Sequence, residues 1–105
     1  MIRECNLICD YQINDGNSLT KLLSLAPLKL MVSISSLSHH INIWQIKDLK
    51  LYILLKGHSD IVCDVSFSRF HLLLFSSSLD RKVKIWNPKT GFCLGTFRIE
   101  DIAIN

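Results

Sequence analysis

A serine, a histidine and an aspartate in one part of the chain could supply hydrolytic chemistry. Ser76 and Ser78 offer hydroxyl groups, His58 precedes them and Asp80 follows them. Many hydrolases activate a serine with a histidine that a carboxylate orients. Their nucleophile normally stands on a strained turn such as GxSxG, and that motif does not occur here. The sequence therefore favours a structural role for these side chains and keeps a hydrolase as a minor alternative.

Cysteine and histidine side chains could also hold a metal ion. Cys5 and Cys9 with His39 and His40 make the one conceivable zinc set, and no cysteines show CxxC spacing. Adjacent histidines on a strand point to opposite faces, so both rarely ligate one ion. The GxxxxGK and HExxH motifs are missing as well. We therefore predict no catalytic residue, no metal and no cofactor. Free thiols in a reducing compartment are expected at Cys5, Cys9, Cys63 and Cys93.

A tryptophan recurs along the chain and indicates an internal repeat. Trp86 follows Trp44 by 42 residues, and an alignment without a gap places Ser77 on Ser35 and apolar residues on apolar ones. A period of about 40 to 45 residues is typical of propeller blades. The 105 residues hold only 2.5 such periods, so we expect an incomplete assembly of blades.

Short apolar runs between turn residues predict strands throughout, with no helical periodicity of useful length. The chain is expected to be all-β. The predicted strands of the earlier repeat are Leu19 to Leu25, Leu30 to Ser35, Ile41 to Trp44 and Leu51 to Leu55. Those of the later repeat are Ile61 to Phe67, Leu72 to Ser77, Val83 to Trp86 and Cys93 to Phe97. Two further strands are predicted at Cys9 to Ile13 and at Ile102 to Ile104.

The pair Gly57-His58, the turn residue Asp80 and the closing Trp86 together resemble a WD40 repeat. The resemblance implies blades of four-stranded antiparallel sheet, about 2.5 of them in this chain. On this frame, 1–16 end a preceding blade, 17–56 form a degenerate repeat, 57–98 form a regular repeat and 99–105 begin a following blade. The resemblance also implies a hydrogen-bonded structural set, made of His58, Asp80, Trp86 and a hydroxyl from Ser76 or Ser78.

The earlier repeat departs from this pattern. In the alignment without a gap, Ser38 stands where Asp80 does, and Asp15-Gly16 stands where Gly57-His58 does. Its polar set should therefore be absent, and we expect that blade to rely on packing alone.

The resemblance implies work as a non-catalytic scaffold that binds other proteins in a complex. Loops on one face of a blade present side chains on rigid strands, which lowers the ordering cost of binding. The residues expected at a partner-binding face are Lys56, Ser59, Asp60, Arg81 and Lys82. The segment 72–77 is also similar to a transducin-beta-like WD40 component of the small-subunit processome. This second likeness implies, as an alternative, a role in a particle that processes ribosomal RNA in the nucleolus.

Charge and hydropathy add little about partners. The net charge is +3, from 12 Lys and Arg against 9 Asp and Glu. Arg81, Lys82 and Lys84 form the one basic cluster along the sequence, which suits either a solvated turn or a patch for RNA or an acidic protein. The N-terminal residues lack a signal-peptide pattern, and the longest uncharged run, Leu30 to Ile46, is rich in serine. We expect an intracellular protein, cytoplasmic or nuclear, with no membrane and no small-molecule substrate among its partners.

Overall fold

The structure is a computed structural model that describes residues 19–101, and the structural statements below concern this part of the chain. Eight β-strands and one short 3-10 helix follow one another within it. The strands are β1 (Leu19–Ser24), β2 (Leu30–Ser35), β3 (Ile41–Gln45), β4 (Leu51–Leu55), β5 (Val62–Ser68), β6 (Leu73–Ser78), β7 (Lys82–Trp86) and β8 (Cys93–Arg98). The 3-10 helix is Ile99–Asp101.

The strands form two four-stranded antiparallel sheets in sequential order, β1-β2-β3-β4 and β5-β6-β7-β8. The prediction of an all-β fold built from four-stranded blades is therefore confirmed. β2 and β4 have the predicted bounds, and the other strands begin or end within one residue of them. The strands predicted at Cys9 to Ile13 and at Ile102 to Ile104 lie outside the described residues.

Strand pairing shows that the spacing between equivalent residues of the two sheets changes by one residue from one strand to the next. Met31 pairs with Trp44 in the first sheet and Leu74 pairs with Trp86 in the second. The offset between the sheets is thus 43 residues in β2 and 42 residues in β3, because the connection from Ser35 to Ile41 is one residue longer than the equivalent connection from Ser78 to Val83. The expectation of an alignment without a gap was wrong.

This extra turn residue changes which positions correspond. Ser35, not Ser36, is the equivalent of Ser78, and the backbone N–H two residues later donates to each hydroxyl. That later residue is Asp80 in the second sheet and Leu37 in the first. Our placing of Ser38 opposite Asp80 was therefore off by one residue, although the first sheet still has no carboxylate there.

The hydrophobic core lies where the two sheets face each other. Alternate residues of a strand point to opposite faces, so a strand can contribute only one of its two sets of side chains to this layer. The first sheet supplies Val32, Ile34, Ile41, Ile43 and Leu55, and the second supplies Val62, Val65, Leu74 and Trp86. These side chains are at most 2% exposed. At about 25 cal/mol per Å² of buried apolar surface, this layer is the main stabilising contact between the sheets.

The strand order puts the loops at two opposite ends of the molecule. We call the end that holds the loops 36–40, 56–61 and 79–81 the motif end, because it carries His58 and Asp80. The other end holds the loops 25–29, 46–50, 69–72 and 87–92, and we call it the basic end. Hydrogen bonds to main-chain carbonyl groups join the sheets at both ends. Val62 N–H donates to Ser38 O at the motif end, and the Tyr52 hydroxyl donates to Lys89 O at the basic end.

Candidate functional site

The turn between β6 and β7 holds the carboxylate of Asp80 in a fixed position. The Asp80 N–H donates to Ser78 Oγ, and the Lys82 N–H donates to Asp80 Oδ1. Arg81 has a φ of 64°, a left-handed conformation that reverses the chain within this tight turn. Ser78 Oγ also donates to Asp60 O at 3.0 Å, which ties the turn to the loop 56–61.

A buried relay of hydrogen bonds runs from Trp86 to Asp80. The Trp86 indole Nε1 donates to Ser76 Oγ at 2.8 Å, and Ser76 Oγ lies 2.7 Å from His58 Nε2. His58 Nδ1 lies 3.0 Å from Asp80 Oδ2. The structure therefore brings His58, Ser76, Asp80 and Trp86 together. Ser78 is adjacent and serves the turn, so the hydroxyl within the relay is that of Ser76.

The chemistry of the four groups fixes the direction of each bond. An ionised carboxylate only accepts, so His58 Nδ1–H donates to Asp80. In the neutral imidazole Nε2 then accepts, and the Ser76 hydroxyl can donate to it while it accepts from Trp86. Each polar atom of the relay has a partner with His58 neutral.

Burial lowers the pKa of His58 below its ordinary 6.5, because it disfavours the charged imidazolium. The Asp80 carboxylate acts in the opposite direction but does not outweigh burial. Lys84 and Lys82 lower the pKa further through their positive charges. The neutral state that the hydrogen bonds require is thus also the state that the surroundings favour.

The Asp80 carboxyl remains a carboxylate although it is mostly buried. Burial is the largest single influence and by itself raises the pKa of Asp80. Hydrogen bonds from the Ser59 N–H, from His58 and from the Lys82 N–H together outweigh it, and the pKa is lowered from 3.8. One carboxylate therefore joins the loop 56–61, the turn 79–81 and the relay.

Gly57 leaves room for the indole ring at the edge of this site. A Cβ atom at Gly57 would lie 3.0 Å from Cη2 of Trp86, which is closer than carbon atoms normally approach. The two residues of the Gly-His pair thus have separate structural roles. The glycine admits the Trp86 ring, and the histidine completes the hydrogen-bonded relay.

The first sheet keeps part of the polar set. Trp44 Nε1 donates to Ser33 Oγ at 2.8 Å, and Ser33 is fully buried. This pair corresponds to Trp86 with Ser76, because Ser33 and Ser76 are 43 residues apart in equivalent strands. The expectation that this blade relies on packing alone was therefore wrong. The alignment without a gap hid Ser33, since it placed Ile34 opposite Ser76.

Ser76, His58 and Asp80 are hydrogen-bonded in the order of a hydrolase triad, but a substrate could not reach the serine. Ser76 is 2% exposed and His58 is 5% exposed. The Ser76 oxygen also accepts from Trp86 Nε1. A nucleophile must meet its substrate at an exposed oxygen, whereas this one is enclosed between an indole and an imidazole. The geometry suits a structural relay.

The residues expected at the partner-binding face lie at the motif end. Lys56, Ser59 and Arg81 are exposed, and Asp60 and Lys82 are half-buried. Their loops are joined below the surface, since Asp80 Oδ2 accepts from the Ser59 N–H and Asp80 Oδ1 accepts from the Lys82 N–H. The structure thus gathers the five residues at one end of the molecule.

Sequence reasoning missed the basic end. The cluster Arg81, Lys82 and Lys84 is compact along the chain, but Lys84 turns its ammonium group to Thr96. A larger group of cations comes together from separate loops at the opposite end. It consists of Lys29, Lys47, Lys50, Arg69 and Lys89. Residues up to 60 positions apart in sequence meet there, so a search for adjacent charges could not find them.

Residues 19–101 contain no group of three or more His, Cys, Asp or Glu side chains that could hold a metal ion. Cys63 and Cys93 are exposed free thiols. Cys5 and Cys9, which the zinc alternative requires, lie outside the described residues. No helix of the described part is long and apolar enough to cross a membrane.

Two stacked four-stranded sheets, with a Trp-Ser-His-Asp relay in one of them, define a propeller-type repeat protein. Residues 49–87 match the family model described as WD domain, G-beta repeat. Residues 49–87 therefore match a WD40 repeat, and the resemblance seen in Gly57-His58, Asp80 and Trp86 is confirmed. WD40 repeats build surfaces for protein interaction, and catalysis is not their usual work.

Several curated proteins are similar to part of this chain. The chain is 33% identical over 66 residues to Periodic tryptophan protein 2 homolog of Dictyostelium discoideum, covering 62% of this chain and 7% of that protein. It is 32% identical over 62 residues to Autophagy-related protein 16 of Arabidopsis thaliana, covering 56% of this chain and 12% of that protein. Ribosome biogenesis protein BOP1 homolog of Drosophila persimilis is 42% identical over 48 residues, or 46% of this chain and 6% of that protein. The matches thus span a small part of each relative.

Proposed function

We propose that this chain is a non-catalytic scaffold that binds another protein through its motif end. The observation that supports the proposal is the position of Asp80, whose carboxylate holds the loop 56–61 and the turn 79–81 together from beneath the surface. A surface held in this way loses little conformational entropy when a partner binds. The contact residues of the proposed face are Lys56, Ser59, Asp60, Arg81 and Lys82.

The charges of this face indicate the kind of contact. Lys56 and Arg81 are exposed, whereas Asp60 Oδ1 is occupied by the N–H of Ile61. The proposed partner surface is therefore acidic where it meets Lys56 and Arg81. Exposed charges at the rim of an interface mainly change the rate of association and its sensitivity to salt.

Site-specific crosslinking tests the proposed face. A photoreactive amino acid at Ser59 should crosslink to a defined protein in cells, and the same group at Thr90, at the basic end, should not crosslink to that protein. Arg81→Glu combined with Lys82→Glu should abolish the product from Ser59. Equal products from Ser59 and Thr90, or a product that survives the charge reversal, would contradict the proposal.

A second candidate function is membership of a particle that processes ribosomal RNA, as a nuclear and nucleolar protein. It is supported by the likeness of the segment 72–77 and by one relative that is described as a ribosome biogenesis protein. Another relative is described as autophagy-related, so similarity in the repeat does not by itself select this role. Co-sedimentation with precursor ribosomal particles, lost on nuclease treatment, would support it. Sedimentation as a small protein-only complex would exclude it.

We also propose that a further sheet covers the second sheet on the side away from the first. Phe75, Val83, Ile85 and Phe97 share this outer side. By register, Phe75 and Ile85 correspond to Val32 and Ile43, which are fully buried beneath the second sheet. The same pattern therefore calls for a third layer. This supports the division of the chain into repeats at 17–56 and 57–98, with a following blade that begins at 99–105.

A further inference from the structure

The basic end contains a cleft that both sheets line. Its volume is about 250 Å³, and its walls carry three lysines, a glutamine amide and a phenol above a leucine floor. The lining residues are Leu28, Lys29, Leu30, Gln45, Lys47, Tyr52 and Lys89. Lys29 and Lys47 come from the first sheet and Lys89 from the second. The cleft thus lies at the junction of the two sheets and opens among positive charges.

Hydrogen bonds to backbone carbonyl groups hold the walls of this cleft in place. The Tyr52 hydroxyl donates to Lys89 O at 2.8 Å and links the two sheets across it. The Ile46 N–H donates to Lys29 O at 3.3 Å and joins two loops of the first sheet. Lys29 has a φ of 58°, which reverses the chain directly before β2. The three lysines therefore stand on fixed main chain, and only their side chains need ordering when an anion binds.

The charge of the basic end extends beyond the cleft. Lys50 lies in the same loop as Lys47, Arg69 extends the charge onto the loop 69–72, and Asp48 is the one acidic residue in the four loops of this end. The Asp48 carboxylate accepts from the N–H of Lys50. Five cations against one anion, spread over four loops of two sheets, suit an extended polyanion better than a single anionic group.

Two exposed aromatic rings lie in loops that also carry these charges. Phe70 is 98% exposed and follows Arg69, while Phe92 is 69% exposed and ends the turn that carries Lys89. Phenylalanine in contact with water has no role in the core of residues 19–101. Exposed rings at the same end of a molecule as a positively charged groove are features with which proteins bind single-stranded nucleic acid, since bases stack on the rings and lysines neutralise the phosphates.

We propose that the basic end binds single-stranded nucleic acid, with phosphates along the cleft formed by Lys29, Lys47 and Lys89 and bases stacked on Phe70 and Phe92. This surface lies opposite the proposed protein-binding face, and the two proposals can fail independently. Because contacts go to backbone phosphates and to the faces of bases, binding should be tolerant of sequence.

Fluorescence anisotropy of the full 105-residue chain with a labelled 12-nucleotide oligouridine tests the proposal. Lys47→Gln with Lys89→Gln should weaken binding at least tenfold at low salt. It should also reduce the slope of log K against log salt by about 1.4, since each phosphate contact on a single strand contributes about 0.7. The matched control, Lys84→Gln with Arg98→Gln, removes the same charge from the strands β7 and β8 and should change affinity less than twofold.

A second pair of variants separates stacking from charge. Phe70→Ala with Phe92→Ala should weaken binding tenfold or more and leave the salt slope unchanged, whereas Leu79→Ala, an exposed apolar residue at the motif end, should have no effect. Circular dichroism establishes that each variant is folded. Absence of binding by the parent chain, equal losses in the Lys84/Arg98 control, or equal affinity for a 12-residue polyglutamate would overturn the proposal. The last result would assign the surface to an acidic protein.

Discussion

At the scale of single residues, the WD40 motif provides a hydrogen-bond partner for each buried polar group around Trp86. The indole of Trp86 packs between the sheets, and its N–H needs an acceptor there. Ser76 supplies the acceptor but brings a hydroxyl proton of its own, which neutral His58 accepts. His58 in turn carries an N–H that Asp80 accepts. Each polar group of the relay thus accepts a hydrogen bond from the group before it.

We expect Asp80→Ala to lower the free energy of unfolding by about 1–3 kcal/mol. The change leaves His58 Nδ1–H and the N–H groups of Ser59 and Lys82 without their acceptor. Urea denaturation of the 105-residue chain would measure the loss. Asp101→Ala serves as a control, because Asp101 forms an exposed ion pair with Arg98 that should contribute little. Equal midpoints for the parent and Asp80→Ala would contradict the role given to this carboxylate.

The lowered pKa of His58 predicts that acid destabilises the fold. Below about pH 6.5 the imidazole of the unfolded chain takes up a proton that folded His58 does not, so protonation favours the unfolded state. The free energy of unfolding should therefore fall from pH 6.5 towards pH 5, by at most about 1.4 kcal/mol per pH unit. The lowered pKa of Asp80 acts in the same direction, but at lower pH.

Denaturation at a series of pH values measures this decline. His58→Gln should remove the part of the decline that lies above pH 5, although it lowers stability at neutral pH. His71→Gln changes an exposed imidazole and should leave the decline in place. An unchanged pH profile in His58→Gln would refute the assignment to His58.

At the scale of strands and turns, the sequence predicted the elements well because local chemistry determines them. Short apolar runs between turn residues predicted the bounds of β2 and β4 to the residue. The register between β2 and β3 could not be predicted in this way. It depends on the length of the turn 36–40, and a chain can reverse within five residues as well as within the three of 79–81. The buried Ser33 was missed for this reason alone.

The two sheets offer a matched comparison of a partial and a complete relay. Ser33→Ala leaves only the Trp44 N–H without an acceptor, whereas Ser76→Ala strands both the Trp86 N–H and His58 Nε2. Each buried group left unpaired costs about 1–3 kcal/mol, so Ser76→Ala should destabilise the chain more by a similar amount. Thermal and urea unfolding of the two variants would measure the difference. A larger loss of unfolding free energy for Ser33→Ala than for Ser76→Ala would contradict this difference between the partial and the complete relay.

At the scale of the whole molecule, the proposed functions depend on surfaces that a local sequence pattern does not predict. The relay could be predicted because Gly57-His58, Asp80 and Trp86 follow one another in the order that resembles a WD40 repeat. The basic end could not, because Lys29 and Lys89 meet only after the two sheets have stacked. The outer side of the second sheet could be predicted only in part. Its apolar residues are visible in the sequence, but only the stacking of the two sheets indicates that a further sheet covers them.

This outer side predicts the behaviour of the chain by itself. Phe75, Val83 and Ile85 are half-buried and Phe97 is 49% exposed, so the sheet presents an apolar surface to water. The 105-residue chain should therefore associate with itself as its concentration rises, which sedimentation velocity measures. Val83→Lys with Ile85→Lys should shift it towards monomer, because lysines on this face cannot be buried without a large desolvation cost. Leu79→Lys, at an exposed leucine of the motif end, should leave self-association unchanged. Persistent association in the double variant would show that the outer side of the second sheet is not the surface that the further sheet covers.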